Sequence, residues 1–185
     1  METNRIIPKL YYIFAIFYFF RKVRNKMDVV RSLFSLLQGD ANLTIDLLGK
    51  WKFRVRDMYD LLALKEVFDD EIYRFIFEGV KNNTTLIDLG AYIGDTEIYA
   101  QQFPEVRHII AVEPMPENFK LAKENILLNK IKNTSLLQYA ISKRKGIANL
   151  FIHPNKGQSG FWQKSKNTQK IKVKTITLVD VLKRV

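Results

Sequence analysis

An open α/β sheet is the fold class this sequence predicts, and three observations within Thr84 to Pro114 predict it. That stretch reads TTLIDLGAYIGDTEIYAQQFPEVRHIIAVEP. Leu86-Ile87-Asp88-Leu89 is a short apolar run with β-branched content, preceded by the turn pair Asn82-Asn83, and so reads as a strand. Gly90 and Gly94 then bracket a tight loop where a Cβ would obstruct the turn or an approaching ligand. His108-Ile109-Ile110-Ala111-Val112 forms a second buried strand with Glu113 at its carboxyl end. Between them Asp95 and Thr96 can cap a helix carrying Ile98, Tyr99 and Phe103 inward, and Pro104 ends it.

Ligands of open α/β sheets sit beyond the carboxyl ends of the strands, beside the glycine turn. An acid about twenty residues past such a turn is placed to hold ribose hydroxyls. A dinucleotide would set its pyrophosphate over the turn. Here Asp88 and Asp95 flank that spot, and bringing like charges together is costly. Tyr92 also stands where the dinucleotide pattern has its middle glycine. An adenosine compound without phosphate, bearing a sulfonium and an ammonium, fits better, and S-adenosylmethionine answers that description. The plainer reading keeps the βαβ unit and gives Asp88 and Glu113 only loop-capping roles.

IDLGAYIGDTEIYA followed by AVEPMPENFKLAKENILLN resembles the FkbM family of class I methyltransferases. The resemblance runs over roughly residues 84 to 182, through Ala140-Ile141-Ser142 and the segment that starts at Ile171. It implies a Rossmann-like class I methyltransferase sheet, and methyl transfer from S-adenosylmethionine to a hydroxyl of a glycan, lipid-linked sugar or secondary metabolite. Carried over by position, Asp88, Gly90 and Gly94 line the methionine end, with Ala91, Tyr92 and Asp95 in the same turn. Glu113 holds the ribose with Pro114 beside it, and Ala140 and Ile141 approach the adenine. Tyr92 replaces an Asn common in that family.

The chain has 185 residues and no cysteine, which excludes a disulfide framework or a thiolate metal site and suits a cytoplasmic protein. No metal-ligating cluster of His, Asp and Glu is evident. Thirty basic against nineteen acidic residues give a net charge of +11, favouring an anionic partner. The expected organisation is an apolar and basic segment over 1–26, a helical and hairpin extension over 27–80, and the methyltransferase-like domain over 81–185.

Leu10 to Phe20 is uninterrupted apolar sequence, flanked by Lys9 and by Arg21, Lys22, Arg24 and Lys26. As a helix it spans only ~16 Å, about half of a ~30 Å hydrocarbon core, and no small-residue cleavage pair follows it. Two readings stay open. Residues 10–26 lie on an anionic membrane surface, leaving the protein peripheral to it, or the segment packs against its own domain or a partner subunit. Asp28 to Gly39 reads as one helix with Asp28 as N-cap and Val29, Val30, Leu33, Phe34 and Leu37 as its buried stripe. Leu43 to Arg56 alternates as a hairpin turning at Gly49-Lys50, with Trp51, Phe53 and Val55 on one face and Lys52, Arg54 and Arg56 on the other. Helical spacing follows over Met58–Phe68 and Asp70–Phe77, with Tyr59, Leu62, Val67 and Phe68, then Ile72, Phe75 and Ile76, turned inward. Glu66 and Tyr73 resemble the FkbM segment that folds over the cofactor, against a plainer reading as surface charge and core aromatic.

Pro116 sets the start of a helix whose inward face is Phe119, Ala122, Ile126 and Leu127. Leu136 to Ile141 is the third strand; Ala148–His153 and Ile171–Ile176 are two more. Lys143 to Lys174 holds nine lysines or arginines and no acid. That basic region, with Phe161 and Trp162 for stacking, supports a second reading as an RNA methyltransferase, set behind the glycan reading. No catalytic residue is fixed; His153 as a base and Ser159 beside the methyl-transfer site are candidates. His108 lies at the wrong end of its strand for chemistry. The resemblance also implies further strands after Leu182, the first with an acidic K-I-D-x-E-G segment. The expected sheet is therefore incomplete: a first βαβαβ half plus a β-hairpin, its central strand open to a partner chain. A third reading follows, a truncated and non-catalytic remnant that still binds S-adenosylmethionine.

Overall fold

The computed structural model describes residues 18–152 and 169–185. They fall into two compact units, the first ending at Phe75 and the second running from Ile76 to Val185.

In the first unit, β1 (Leu43–Leu47) and β2 (Trp51–Val55) form an antiparallel hairpin with Ile45 opposite Phe53. The alternation read from the sequence holds: Trp51, Phe53 and Val55 are buried, and Lys52 is exposed. The chain before it adds a partial third strand, with Arg24 N–H donating to the Asp46 carbonyl at 2.9 Å and a bridge between Val23 and Leu47. Asn25 fastens this edge, accepting from Asp46 N–H at 2.8 Å and donating to the Thr44 carbonyl at 2.7 Å.

The expected single helix over 28–39 is two short ones, α1 (Lys26–Arg31) and α2 (Leu33–Gln38), broken at Ser32. Asp28 lies inside α1 and accepts from Asn25, which occupies the cap position. The break rotates the apolar stripe: Val29 and Leu36 are buried, while Val30, Leu33, Phe34 and Leu37 are exposed. Gly39 does close the end in a left-handed conformation, as a helix-terminating glycine should.

α3 (Met58–Phe68) forms where expected, capped by Asp57, whose side chain accepts from Tyr59 N–H and Asp60 N–H. Its buried face is Leu61, Leu64, Val67 and Phe68, with Phe68 edge-on to Phe53 at 5.4 Å, whereas Tyr59 is exposed. The helix expected over 70–77 shrinks to α4 (Arg74–Phe77), because Glu71 takes a left-handed φ of 50°. Ile72, Phe75 and Ile76 are consequently exposed rather than inward. Asp69 and Asp70 bind cations: Arg21 and Lys22 reach Asp69, and Lys65 reaches Asp70 at 2.6 Å. Burial pushes the Asp69 carboxyl up, but the hydrogen bonds from Lys22 and Arg21 outweigh it and hold it below the usual range.

These pairs bear on the apolar segment. Two of its flanking cations are engaged within the unit, and Phe19 and Val23 are buried there, while Tyr18 is exposed. Residues 10–17 lie outside the described residues. No helix among the described residues is long and apolar enough to cross a membrane.

In the second unit, β3 (Thr84–Leu89), β4 (Val106–Val112) and β5 (Thr134–Leu137) form a parallel sheet in the order β3-β4-β5. Ile110 and Val112 of β4 sit in the core. Two crossovers link these strands: α5 (Asp95–Tyr99) with the 3-10 turn Ala100–Gln102, and α6 (Pro116–Leu128). Phe103 stacks on Phe77 at 4.7 Å, and Tyr99 tilts against both rings. The buried face of α6 comprises Asn118, Leu121, Ala122, Asn125 and Ile126; Leu127, expected inward, is exposed.

The third strand departs from expectation. It breaks at Gln138-Tyr139, and the remainder, β6 (Ala140–Ile141), joins a second sheet beside β8 (Gln169–Ile176). β7 (Gly146–Ile152) completes that sheet as an antiparallel partner of β8, in the order β6-β8-β7. α7 (Leu178–Leu182) follows, capped by Thr177.

Candidate cofactor site

β3 delivers Asp88 and the glycine turn to the carboxyl end of the parallel sheet, and β4 delivers Glu113 beside it. The turn is tied to β4 through Gly90 N–H and Ala91 N–H, which both donate to the Val112 carbonyl at 2.8 and 3.1 Å. Two glycines do different work there. At Gly90, φ is 131°, and an added Cβ would meet no atom within 4 Å, so the turn opens onto free space. At Gly94, φ is 81°, and a Cβ would come within 3.2 Å of the Ala122 carbonyl oxygen and 3.3 Å of its Cα. Gly94 thus lets α6 approach the turn, and it also occupies the N-cap position expected of Asp95 or Thr96. Asn125 reinforces the approach by donating to the Ile93 carbonyl at 2.9 Å. Gly94→Ala should lower stability by about 1–3 kcal/mol, since both strain and a backbone clash arise. Chemical denaturation checks this, and an unchanged midpoint would mean that α6 packs elsewhere.

Glu113 is buried and held from the backbone. Its carboxylate accepts from Tyr92 N–H and Met115 N–H, each at 2.9 Å, with Asn118 Nδ2 at 3.5 Å. This contact explains why Tyr92 adopts a left-handed φ of 45°: the strained residue turns its amide onto the acid. Met115 and Asn118 share Oε1, whereas Oε2 accepts from Tyr92 and keeps a further lone pair, so capping the turn and accepting a hydroxyl are compatible. Burial raises the Glu113 carboxyl and the Met115 and Tyr92 amides oppose that, with Asp88 adding to the rise.

The sequence reading placed two acids at the turn; the structure gathers four. Asp95 and Glu97 on α5 are buried, as is Glu113, and Asp88 on β3 is mostly so. Burial raises the Asp88 carboxyl, only partly offset by a hydrogen bond with Glu97. Glu97 was missed from sequence. The signal was its helical register, four residues after Ile93 and three before Ala100, which are both buried.

Ala140 is buried in one apolar cluster with Met115, Leu150 and Val173, two residues from Glu113 in sequence at its Met115 end. Ile141 packs against the cluster of Ile110, Val112, Ile176 and Val181. Pro114 is half-buried. Glu66 is exposed and Tyr73 half-buried; both belong to the first unit. His153 and Ser159 lie outside the described residues. His108 faces Ser135 at 3.3 Å, at the beginning of β4.

Residues 67–145 match the family model of the TRM5/TYW2 methyltransferase domain. The matched residues have the partial fold of a class I methyltransferase domain. The cofactor of such domains is S-adenosylmethionine, and the residues at the turn fit that group: open space at Gly90, beside Asp88, Asp95 and Glu113, whose carboxylates would welcome cationic groups and repel phosphate. The match supports the class I methyltransferase fold, here partial, without extending to the FkbM family in particular. Among solved structures, TYW2 of M. jannaschii in complex with AdoMet is 16% identical over 63% of this chain and 54% of that one, with a TM-score of 0.41. A SAM-dependent methyltransferase of Agrobacterium tumefaciens is 16% identical over 53% and 32%, at 0.38. Trm5b of Pyrococcus abyssi is 14% identical over 52% and 31%, at 0.35. The chain thus spans from under a third to about half of these relatives' length. No curated protein matches.

Proposed function

We propose that this domain transfers the methyl group of S-adenosylmethionine to an RNA acceptor, with tRNA as the first class to test. The observation that carries the reading is the match of residues 67–145 to a TRM5/TYW2 methyltransferase domain; a solved Trm5 complex contains tRNALeu. The charge distribution supports it. Lys170, Lys172 and Lys174 alternate along β8 and are all exposed, and Lys143 and Arg144 are exposed just before β7. Such a row suits the regular spacing of phosphates.

In this reading Asp88, Ala91, Tyr92 and Asp95 receive the methionine end of the cofactor. Glu113 and Pro114 take the ribose, and Ala140 and Ile141 the adenine. The cofactor supplies an activated methyl on sulfur. The protein's task is to hold it in line with the acceptor atom, and such orientation is worth up to ~7–11 kcal/mol in favourable cases. The acids around the turn favour a cationic ligand.

The FkbM resemblance of AVEPMPENFKLAKENILLN favours a second reading, O-methylation of a glycan or lipid-linked sugar. Labelled methyl transfer from S-adenosylmethionine to tRNA, and separately to a glycan lipid fraction, distinguishes them. If the three β8 lysines contact phosphates, RNA binding should fall about 40-fold between about 50 and about 200 mM salt. Label appearing only in the glycan fraction, or RNA affinity indifferent to salt, would overturn the RNA reading. Cofactor binding without transfer to either acceptor would leave a binding module in its place.

A further inference from the structure

Glu97 is an acid to which the cofactor reading gives no contact of its own. It is fully buried, and no N–H or hydroxyl of another residue donates to either carboxylate oxygen. What it faces is the Asp88 carboxylate on β3. Two carboxylates bond only by sharing a proton, because an ionised carboxylate has none to donate. The charged groups acting on Glu97 are Asp88 and, from its own helix, Asp95; Glu113, beyond β4, is felt by Asp88. All are acidic. Burial, then the charge of Asp88, pushes the Glu97 carboxyl well above the usual carboxylate range.

We propose that Glu97 is a positioning residue for the cofactor: it shares one proton with Asp88 beneath the glycine turn, and gives that proton up when the cofactor's ammonium settles on the pair. The inference rests on the reading that Asp88 receives the methionine end. Before binding, the pair carries one negative charge and one O–H···O⁻ bond, with Asp88 held in place by the Glu97 hydroxyl. The incoming ammonium supplies the positive charge that two ionised carboxylates need, so the O–H bond of Glu97 breaks and its proton passes to solvent. No other bond changes. Neighbouring carboxylates lose their protons as a pair, so the linkage belongs to the couple.

The sign follows from linkage. A carboxyl held above its unfolded value in the empty domain gives stability that is full below the ordinary carboxylate range and lost as pH rises toward the raised value. Cofactor binding runs the other way: affinity should rise with pH over that same window, by up to about tenfold per pH unit.

Calorimetry of S-adenosylhomocysteine binding to the full chain, in two buffers of different ionisation enthalpy near neutral pH, reads the released proton directly. The unaltered protein should release up to one proton with S-adenosylhomocysteine and none with methylthioadenosine, which has the same nucleoside and no ammonium. Glu97→Gln keeps a hydrogen-bond donor against Asp88, so it should bind S-adenosylhomocysteine without proton release and with a flat pH profile. Equal release with both nucleosides, or undiminished release in Glu97→Gln, would overturn the proposal. The comparison of nucleosides needs no variant, so a poorly folding Glu97→Gln leaves the idea exposed to refutation. Binding with no proton release sinks this proposal alone. Failure of the unaltered chain to bind S-adenosylhomocysteine sinks the cofactor reading, and this one with it.

Discussion

Glu113→Ala is expected to weaken S-adenosylhomocysteine binding by about 10–100-fold, one or two steps of ~1.4 kcal/mol each. The same change should cost about 1–3 kcal/mol of stability, because it strands buried donors. Two effects combine. The carboxylate accepts from the Tyr92 and Met115 amides at 2.9 Å each, so its loss frees the turn that Tyr92 holds in a left-handed conformation. It also removes the acceptor proposed for the ribose hydroxyls. Glu113→Gln separates the two, since its amide oxygen can still accept from one backbone N–H while the charge is gone. Isothermal titration of both variants, with denaturation curves beside it, decides the matter. A variant with an intact turn and undiminished affinity would remove Glu113 from the ribose site.

The largest loss of stability in the first unit is expected from Asp60→Ala, at about 3–5 kcal/mol, the range for removing one partner of a buried ion pair. Asp60 is fully buried and accepts from Arg56 three times: backbone N–H at 2.7 Å, Nε at 3.0 Å and Nη2 at 2.9 Å. This bonding welds the end of β2 to the first turn of α3. The Arg56 side chain keeps 18% of its exposure, so water can reach part of the released guanidinium, which argues for the lower end of the range. Urea denaturation gives the number. A loss under about 1 kcal/mol would place the pair with surface salt bridges.

Legibility in the sequence followed locality. The strand, glycine turn, helix and second strand around Asp88 and Glu113 are contiguous, and each is marked by its own residues: Gly90 and Gly94 for the turn, Pro116 for the start of α6. Those landmarks fell where expected. Failures came where one residue's backbone overrode a periodic pattern. Ser32 splits the first helical stretch and rotates its stripe, so Phe34 and Leu37 face outward. Glu71 takes a left-handed conformation that no Gly or Asn announces, and the helix over 70–77 is lost. The break at Gln138-Tyr139 depends on pairing with β8, about thirty residues later in the chain, and local pattern cannot report such a partner.

At the site the same contrast holds. Charge at the turn is legible as a count of acids, whereas the burial of Glu97 beside Asp88 shows only once α5 packs. Helix propensity gives no reason to prefer Glu there over its neighbours; burial beside Asp88 gives one. Arg21 and Lys22 show the converse. Both reach Asp69, nearly fifty residues away, a pairing that the local row of cations does not report.

The order β3-β4-β5 leaves β3 bonded along one side alone among the described residues. Successive amides of a strand point to opposite sides, so those of β3 fall into two interleaved sets. In heavy water, every second β3 amide should keep its proton as long as the sheet holds, while its neighbours trade theirs quickly. β4, flanked on both sides, should show slow exchange along its whole paired length, making the two strands distinguishable amide by amide.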